Sequence, residues 1–349
     1  MEPKMRFSIV VLAYNLEDYI EECLDSICRQ TYTNFEAFVV NDGSTDRTEA
    51  ICRAYAERDE RIHLITHTNR GQLLSRIAGL SQAKGEYYLC MDGDDYWDDT
   101  LLETVERYLQ KTPAELAIYG YRSVIDGKIG HTVEHVFSDG RLFTEKDKKE
   151  VLEKLADGGP INEMWVKVIA ADLFQRITKD FEPYGYLRKA EDLFYSLFLV
   201  QEAKTILYMD QVLYNYRTRP GSIINSFRPQ ELGDMVFVKS YIEKWIKKMG
   251  LASEEQYRRF YDNVYFYFAH YIYRCGISDL SNKEKRKILQ RVKKEALFQR
   301  SCKGRSKGRI DGKHQLFMGL FFRNIPLFLL FGKTFYMLKK IRNRIRGWV

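Results

Sequence analysis

This sequence of 349 residues shows no pattern of disulfide cysteines, no signal-peptide pattern and no apolar run long enough to span a membrane. Its six cysteines form no CxxC pair and no ladder of short spacings, which argues against a disulfide framework and favours reduced thiols. The first residues carry charge and then a strand-length apolar run without a small-residue cleavage site, so we expect no signal peptide. The apolar stretch 316–331 is 16 residues long and contains Arg323, whereas a spanning helix needs about 20 apolar residues.

The net charge of +7 is distributed unevenly along the chain. Residues 283–349 contain 20 Lys and Arg but 3 acidic residues, a net charge of +17, so the preceding part carries −10. An acidic body with a basic end predicts an acidic surface as the partner of that end, either nucleic acid or anionic lipid.

Apolar strands alternate with helical segments through the first part of the chain. Strands are predicted at 7–14, 35–40, 62–65 and 86–91, and helices at 18–30 and 71–83. Continuous apolar strands with helices between them predict an α/β fold with a mostly parallel sheet covered on both faces. Ligands of such sheets bind beyond the carboxyl ends of the strands, where this sequence places three polar groups: Tyr14-Asn15, Asn41-Asp42 and the aspartates that begin at Asp92.

The stretch from residue 87 to residue 99, YYLCMDGDDYWDD, ends a short apolar run in a dense group of aspartates. Carboxylates this close repel one another, and the stretch holds no basic residue, so a cation is expected among them. Asp92 and Asp94 follow the strand directly and are one residue apart, which suits a shared divalent ion, and Mg²⁺ and Mn²⁺ prefer such oxygen ligands. A solvated turn with helix-capping acids is the alternative, and it explains these two aspartates less well.

The order of several motifs resembles that of the family 2 glycosyltransferases with the GT-A fold. The motifs are SIVVLAYNLEDYIEECLDSICRQTYTNFEAFVVNDGSTDRT, GEYYLCMDGDD and KAEDLFYS, and the resemblance covers residues 6–226. It implies a Rossmann-like, mostly parallel sheet flanked by helices. It also implies transfer of a sugar from a nucleotide diphosphate, usually UDP, with inversion at the anomeric carbon and with Mn²⁺ or Mg²⁺.

The resemblance assigns donor-binding roles to several positions. Asp42 matches the aspartate that hydrogen-bonds the uracil edge, and the segment Ala13, Tyr14 and Asn15 lines the nucleoside pocket. Asp92 reaches toward the ribose, and Asp94 binds the metal most directly. Three further positions match segments near the donor: Arg76 as a possible donor contact, and Arg217 and Ser222 as residues that close over the diphosphate.

An inverting transfer also needs a carboxylate that takes the proton of the acceptor hydroxyl. The motif KAEDLF matches the family's Glu-Asp pair, which implies Asp192 as the general base and Glu191 as its support. The alternative is a helix N-terminus with acids that the helix dipole favours. Trp165 and Lys167 match residues that border the acceptor pocket, and core packing explains Trp165 equally well.

The predicted organisation is a GT-A nucleotide-sugar-binding and catalytic domain (1–227), a helical extension (228–301) and a basic amphipathic tail (302–349). Aromatic residues at helical spacing over 257–272 predict a packed helix, and the Gly-rich basic stretch 303–313 predicts a mobile linker. The tail mixes apolar and basic residues, which is typical of a segment lying in an anionic membrane interface. Nucleic acid is the rival partner, but the apolar cluster 327–331 suits lipid better.

These observations predict a hexosyl- or N-acetylhexosaminyl-transferase. It would move a sugar from a UDP-sugar to a carbohydrate acceptor, lipid-linked, in cell-surface polysaccharide synthesis. It would be a peripheral protein at the cytoplasmic face of the cell membrane. A nucleic-acid-binding protein and a non-catalytic nucleotide-sugar-binding protein are the alternatives, and intact Asp92, Asp94 and Asp192 argue against the second of these.

Overall fold

The computed structural model divides the chain into two compact units. The first comprises residues 1–155 and 159–219, and the second comprises 156–158 and 220–349. The structure describes residues 5–125, 127–133, 135–218, 227–250, 253–306 and 312–345, with the side chains of 179–182 and 339–345 outside that description.

One sheet organises the first unit. Its strands are β1 (Phe7–Ala13), β2 (Phe35–Asn41), β3 (Ile62–Thr66), β4 (Tyr87–Asp92), β5 (Tyr96–Trp97), β6 (Leu116–Ile125), β7 (Lys128–Val133), β8 (Arg141–Thr144), β9 (Lys167–Ala170) and β10 (Thr205–Thr218). Their order is β3-β2-β1-β4-β9-β6-β10-β5, with β7 paired to β6 and β8 paired to β10. The strands β3, β2, β1, β4, β6 and β10 run in one direction, and β9 lies antiparallel between β4 and β6. The predicted mostly parallel α/β sheet is confirmed.

Helices connect these strands. They are α1 (Ile20–Cys28), α2 (Thr48–Arg58), α3 (Gln72–Leu80), α4 (Leu101–Lys111), α5 (Lys149–Ala156), α6 (Ala171–Phe181) and α7 (Glu191–Glu202). The strands β1 and β2 are buried along their whole length, as expected for strands with helices on both faces. Their continuous apolar sequences follow from that position, and the four strands predicted from sequence lie within one residue of the observed bounds.

The described part of the second unit is helical. Its helices are α8 (Glu231–Lys248), α9 (Glu254–Gly276), α10 (Asn282–Lys294), α11 (Ala296–Gly304), α12 (Gly312–Arg323) and α13 (Ile325–Ile345). The long helix α9 begins at a Ser253 cap, whose side chain accepts a hydrogen bond from the Gln256 amide. Its residues Phe260, Phe268 and Ile272 are fully buried, so the predicted packing of the aromatic stripe is confirmed.

The C-terminal segment has two different faces. Phe317 and Phe328 are buried and pack beside Gly276 of α9, where a larger residue would clash with both rings. Leu330 and Phe322 are 61% and 51% exposed on the other face. The predicted linker is wrong at both ends, because residues 303 and 304 end α11 and residues 312 and 313 begin α12, while residues 307–311 lie outside the described part of the chain. Among the described helices, none combines the length and the apolar content that crossing a bilayer requires.

Candidate active site

The carboxyl ends of β1, β2 and β4 bring three predicted polar groups to one edge of the sheet. Ala13 is in register with Asn41 on one side of β1, and Leu12 is in register with Asp92 on the other. Because the three strands are parallel, the residues that follow them emerge at the same edge. The sequence-predicted grouping of Tyr14-Asn15, Asp42 and Asp92 is therefore what the structure contains.

Asp42 is held by the loop that precedes α3. Its carboxylate oxygens accept the backbone amides of Arg70 at 2.8 Å and Gly71 at 2.9 Å. The Nδ1 atom of His67 lies 3.3 Å from the same carboxylate, and its Nε2 atom is buried without a partner among the described residues. Gly71 has φ +88°, a backbone conformation that glycine adopts without strain. Asp42 is thus a fixed acceptor, and His67 is a neighbour that no sequence motif indicated.

The segment after β1 forms a rigid corner beside Asp42. The Ala13 carbonyl accepts the Asp42 amide at 2.8 Å. Asn15 has φ +53°, donates its amide to Ser44 Oγ at 3.0 Å and accepts the Thr45 amide on Oδ1 at 2.8 Å. Tyr14, between them, is 48% exposed. The corner therefore presents one accessible aromatic ring next to Asp42.

The three aspartates at the end of β4, which are Asp92, Asp94 and Asp95, have different environments. Asp95 is completely buried, and its oxygens accept the Tyr214 hydroxyl at 2.6 Å and the Arg217 amide at 2.7 Å. Burial, with the charges of Asp94 and Asp92, raises the pKa of Asp95 well above its ordinary value. Asp95 thus binds β10, whereas Asp92 and Asp94 remain half-buried.

A buried arginine joins the aspartates of β4 to the start of α7. The Arg76 side chain is 1% exposed, with Nη1 at 3.1 Å from Asp192 Oδ1 and Nη2 at 3.9 Å from Asp92 Oδ1. Burial lowers the pKa of Arg76, but the neighbouring carboxylates, Asp192 first, outweigh it and leave the pKa raised. The stretch 87–99 holds no basic residue, and the basic neighbour of Asp92 comes from α3 instead.

The first turn of α7 carries the two carboxylates of the predicted base motif. Glu191 is buried, and burial together with the Asp192 charge raises its pKa. The Asp192 side chain is 20% exposed. Ala190, which precedes them, has φ +60°, a left-handed conformation that costs energy in a residue with a Cβ. The turn thus begins at a strained residue, and Asp192 is the more accessible of its two carboxylates.

Two further charged residues face this carboxylate group. Burial lowers the pKa of Lys167 to about 7, and its Nζ donates to the carbonyls of Ile161 at 2.7 Å and Glu163 at 2.5 Å. Burial and the Asp192 charge raise the pKa of Glu163. Lys167 thus fixes the 161–163 segment beside Asp192. The sequence gave no indication of Glu163. This residue precedes β9, and β9 lies between β4 and β6 in the sheet, away from its neighbours in the chain.

Trp165, predicted to border the acceptor, and Arg217, predicted to close over the diphosphate, both contact other side chains of the first unit. Trp165 is 4% exposed and stacks on Tyr214 with 4.3 Å between ring centroids. Arg217 pairs with Glu22 at 2.6 Å, and its guanidinium lies 5.2 Å from the centroid of the Tyr96 ring. Ser222 lies outside the described residues. Core packing therefore accounts for the observed environment of Trp165.

The aspartates of β4 suit a divalent cation. Asp92 Oδ1 is buried and has no hydrogen-bond partner in the described part of the chain. Burial raises the pKa of Asp92, Arg76 opposes this rise, and the charges of Asp192 and Asp94 add to it, so that the pKa is about 8. Within the described ranges, no group of three or more His, Cys, Asp or Glu side chains has the arrangement of a metal site. Two carboxylates fit Mg²⁺ or Mn²⁺, which usually take their other ligands from water and substrate phosphates.

Comparison with known proteins identifies the family of this domain. Residues 8–164 match the family model "Glycosyl transferase family 2". The chain is 29% identical to Glycosyltransferase GlyA of Streptococcus pneumoniae over 72% of this chain and 36% of that protein. It is 31% identical to the uncharacterized glycosyltransferase EpsJ of Bacillus subtilis over 62% of each. It is also 31% identical to the minor teichoic acid biosynthesis protein GgaB of Bacillus subtilis over 42% of this chain and 17% of that protein. The match thus spans about a third of the length of GlyA and less than two thirds of EpsJ.

Solved structures show the same fold. The crystal structure of S. aureus TarS 1-349 in complex with UDP-GlcNAc has a TM-score of 0.58 and 19% identity, over 88% of this chain and 94% of that one. The mannosyltransferase PcManGT of Pyrobaculum calidifontis, in complex with GDP-Man and Mn²⁺, has a TM-score of 0.52 and 15% identity, over 99% and 88%. At these identities the likeness shows the fold alone, which is GT-A. Residues 8–164 therefore form a domain that matches the family 2 glycosyltransferases, and the GT-A fold agrees with that match.

Proposed function

We propose that this glycosyltransferase moves one sugar from a UDP-sugar to the hydroxyl of a carbohydrate acceptor with inversion of the anomeric carbon. The observation that carries the proposal is the pair of carboxylate groups on the two sides of Arg76. Asp92 and Asp94 are at the end of β4, and Asp192 is at the start of α7. Asp42 lies at the adjoining strand end. The UDP-GlcNAc bound by the similarly folded TarS supports UDP as the nucleotide.

The reaction needs one proton acceptor and one site for the leaving group. The acceptor hydroxyl oxygen attacks the anomeric carbon while the bond from that carbon to the diphosphate oxygen breaks. The electron pair of that bond leaves with UDP, and Asp192 takes the hydroxyl proton. Asp92 and Asp94 would hold a divalent cation, which supplies positive charge to the departing diphosphate. Asp42, with Ala13, Tyr14 and Asn15, would orient the nucleoside, and Glu191 would support Asp192.

The proposed setting is cell-surface polysaccharide synthesis with a lipid-linked acceptor. The name of GgaB, a teichoic acid biosynthesis protein, supports the polysaccharide assignment. We place the protein at the cytoplasmic face of the cell membrane, held there as a peripheral protein by the outer face of α12 and α13.

Release of UDP from a panel of donors tests the proposal. UDP-glucose, UDP-galactose, their N-acetylhexosamine counterparts and GDP-mannose would each be incubated with the protein and Mn²⁺, with and without acceptor. Turnover of one UDP-sugar is the expected result and distinguishes a hexosyl- from an N-acetylhexosaminyl-transferase. Tight UDP-sugar binding without release across acceptors would instead support a binding protein.

Replacing Asp94 by Asn is expected to lower the affinity for UDP in the presence of Mn²⁺ by at least about 10–100-fold, which is already the effect of losing a group that supports a metal ligand. Asn keeps the shape of the side chain but loses the charge that attracts the cation. Asp99→Asn is the matched control, because Asp99 belongs to the same acidic stretch and pairs with Arg29 at the surface. Calorimetry with and without Mn²⁺ measures the effect, and wild-type affinity in the Asp94 variant would remove Asp94 from the metal site.

The membrane proposal depends on side chains that α12 and α13 expose. The large apolar side chains that are exposed there are Leu316, Phe322, Leu327, Leu330, Phe331, Met337 and Leu338. They are interspersed with the exposed basic residues Arg323 and Lys333. An exposed apolar face with basic residues around it is typical of helices that lie in the membrane interface.

Replacing Phe322, Leu330 and Phe331 by Ser is expected to reduce binding to anionic liposomes by at least about 10-fold, because each side chain contributes apolar area that would leave water. Substitution is preferable to deletion of this segment, since its buried face packs on α9. Ile129→Ser, at a strongly exposed apolar position of β7, is the control. Flotation measures both variants, and equal flotation of the triple variant and wild type would contradict a membrane role for this face.

A further inference from the structure

Helix α10 concentrates positive charge on the side that faces away from its packing contacts. It contains seven Lys and Arg and one acidic residue, Glu284. Leu289 and Val292 are fully buried, and Lys285 is buried with its Nζ bonded to the Gly276 and Ser278 carbonyls. The exposed side carries the following residues: Lys287, Gln290, Arg291 and Lys294. We name Lys287, Arg291 and Lys294 the basic stripe.

The basic stripe is electrostatically unfavourable for the helix by itself. Lys287 and Arg291 are four residues apart, and Arg291 and Lys294 are three apart, so each pair lies on neighbouring turns and repels. In the described part of the second unit, the ion pairs between helices form elsewhere, as between Arg274 and Glu231 and between Arg300 and Glu243. Glu284, the acid of α10, closes the capping box with Ser281. A partner with negative charge would relieve this repulsion.

The shape at the basic stripe suits a small anionic group. The three side chains, with Gln290 and Glu295, surround a shallow open depression of about 430 Å³. The Oε1 atom of Glu295 accepts a hydrogen bond from the backbone amide of Leu297 at 3.4 Å. Several cationic side chains around an open depression attract phosphate groups and leave room for their hydration.

Helix α10, which carries the basic stripe, packs beside the helices that expose the apolar side chains. Helix α10 packs against α13, and the Lys293 ammonium lies 5.0 Å from the centroid of the Phe321 ring of α12. The next residue, Phe322, is exposed and stacks on Phe298 of α11. Cationic and apolar side chains on neighbouring helices are the combination that anionic bilayers bind, since headgroups and acyl chains are satisfied together. Nucleic acid would leave the exposed leucines of α13 without a partner.

We infer that the basic stripe of α10 binds the phosphate headgroups of anionic lipids while the exposed apolar side chains of α12 and α13 enter the interface. This inference rests on the proposed membrane association and adds the headgroup site to it. Each basic side chain near an anionic surface strengthens binding by about 5-fold, so the three together account for about 100-fold.

The test compares two triple variants that lose the same charge. The first replaces Lys287, Arg291 and Lys294 by Gln, and the control replaces three exposed lysines near the end of α8 by Gln, namely Lys244, Lys247 and Lys248. Thermal unfolding first confirms that both variants are folded. Each is then mixed with vesicles of phosphatidylcholine alone and of phosphatidylcholine with an equal part of phosphatidylglycerol.

The basic-stripe variant is expected to lose about 100-fold in affinity for the anionic vesicles, and the control variant less than about 5-fold. Equal losses would show an effect of net charge alone and would overturn the inference, as would no loss in the basic-stripe variant. Displacement of the wild type from vesicles by millimolar inorganic phosphate would identify a free-anion site instead and would also overturn it. So would a loss of duplex oligonucleotide binding larger than the loss of vesicle binding.

The same assay separates this inference from the membrane proposal itself. If the Phe322, Leu330 and Phe331 variant loses vesicle binding and the basic-stripe variant keeps it, the membrane proposal stands and the headgroup site fails. If the wild-type protein binds neither vesicle, both fail.

Discussion

Replacing Asp192 by Asn is expected to cut turnover by about 10²–10⁴-fold while UDP-sugar binding stays near that of the wild type. Asn has the same shape, and its carbonyl oxygen can still accept the hydrogen bond that Arg76 donates to Asp192 at 3.1 Å. It cannot take a proton from an acceptor hydroxyl. The variant therefore removes the proposed chemical role and keeps the contact.

Accessibility favours Asp192 over Glu191 as the base. Glu191 is buried, and burial with the neighbouring Asp192 charge raises its pKa, which keeps more of it protonated. The Asp192 side chain is 20% exposed and can meet a hydroxyl from solvent. Glu191→Gln is the matched control, for which a much smaller loss of turnover is expected.

Steady-state kinetics on the true acceptor separate the two roles. Loss of the base lowers kcat and kcat/KM together, whereas loss of a binding contact raises KM. A Glu191→Gln variant that loses turnover, beside an Asp192→Asn variant that keeps it, would transfer the role of base to Glu191.

The part of the site at the carboxyl ends of the strands, with Asp42 and Asp92, is predictable from the sequence. The strands β1, β2 and β4 are continuous apolar segments with a polar residue at each end, and parallel pairing places those ends together. The apolar pattern alone is therefore enough to group Asp42 with Asp92. The loop that orients Asp42 is not predictable in this way. It donates the backbone amides of Arg70 and Gly71, which almost any residue type could supply, so the side chains give no sign of the contact.

The rest of the site depends on contacts between distant parts of the chain. Arg76 and Asp192 are 116 residues apart, and the helical spacing of Arg76 indicated only that it belongs to α3. Lys167 lies beside Asp192 because β9 runs antiparallel between β4 and β6, a position that chain order does not suggest. Burial then determines the chemistry, since the pKa of Lys167 falls to about 7 only in this surrounding.

Replacing Arg76 by Met is expected to destabilise the first unit by about 3–5 kcal/mol, the usual cost of removing one member of a buried ion pair. The guanidinium is 1% exposed and lies between the carboxylates of Asp192 and Asp92. Met has a similar length and fills the space, but it leaves both carboxylates without their cation. The loss is measured by chemical unfolding of the full chain without Mn²⁺.

The loss of stability is expected to depend on pH. In the wild type, burial raises the pKa of Asp92 and Arg76 opposes that rise, and the resulting pKa is about 8 against an ordinary 3.8. Removing Arg76 raises it further, so the folded variant binds more protons than the unfolded chain above pH 3.8. The stability of the variant therefore falls as pH rises above 3.8, and its difference from wild type grows only above about pH 8, where Asp92 of the wild type loses its proton first. Added Mn²⁺ is expected to restore part of the stability at neutral pH, because it returns positive charge to Asp92.

Two further variants decide between a structural and a donor-binding role for Arg76. Arg122→Met is the matched control, since Arg122 also bonds an aspartate, Asp98, but is 27% exposed, and a loss of at most about 1 kcal/mol is expected there. Arg76→Lys keeps the charge without the planar fork and is expected to recover part of the stability. If Arg76→Met were as stable as wild type at every pH and instead lost UDP-sugar affinity, Arg76 would be the donor contact that the family resemblance implies, and its place between the two carboxylates would reflect the protein without its substrate.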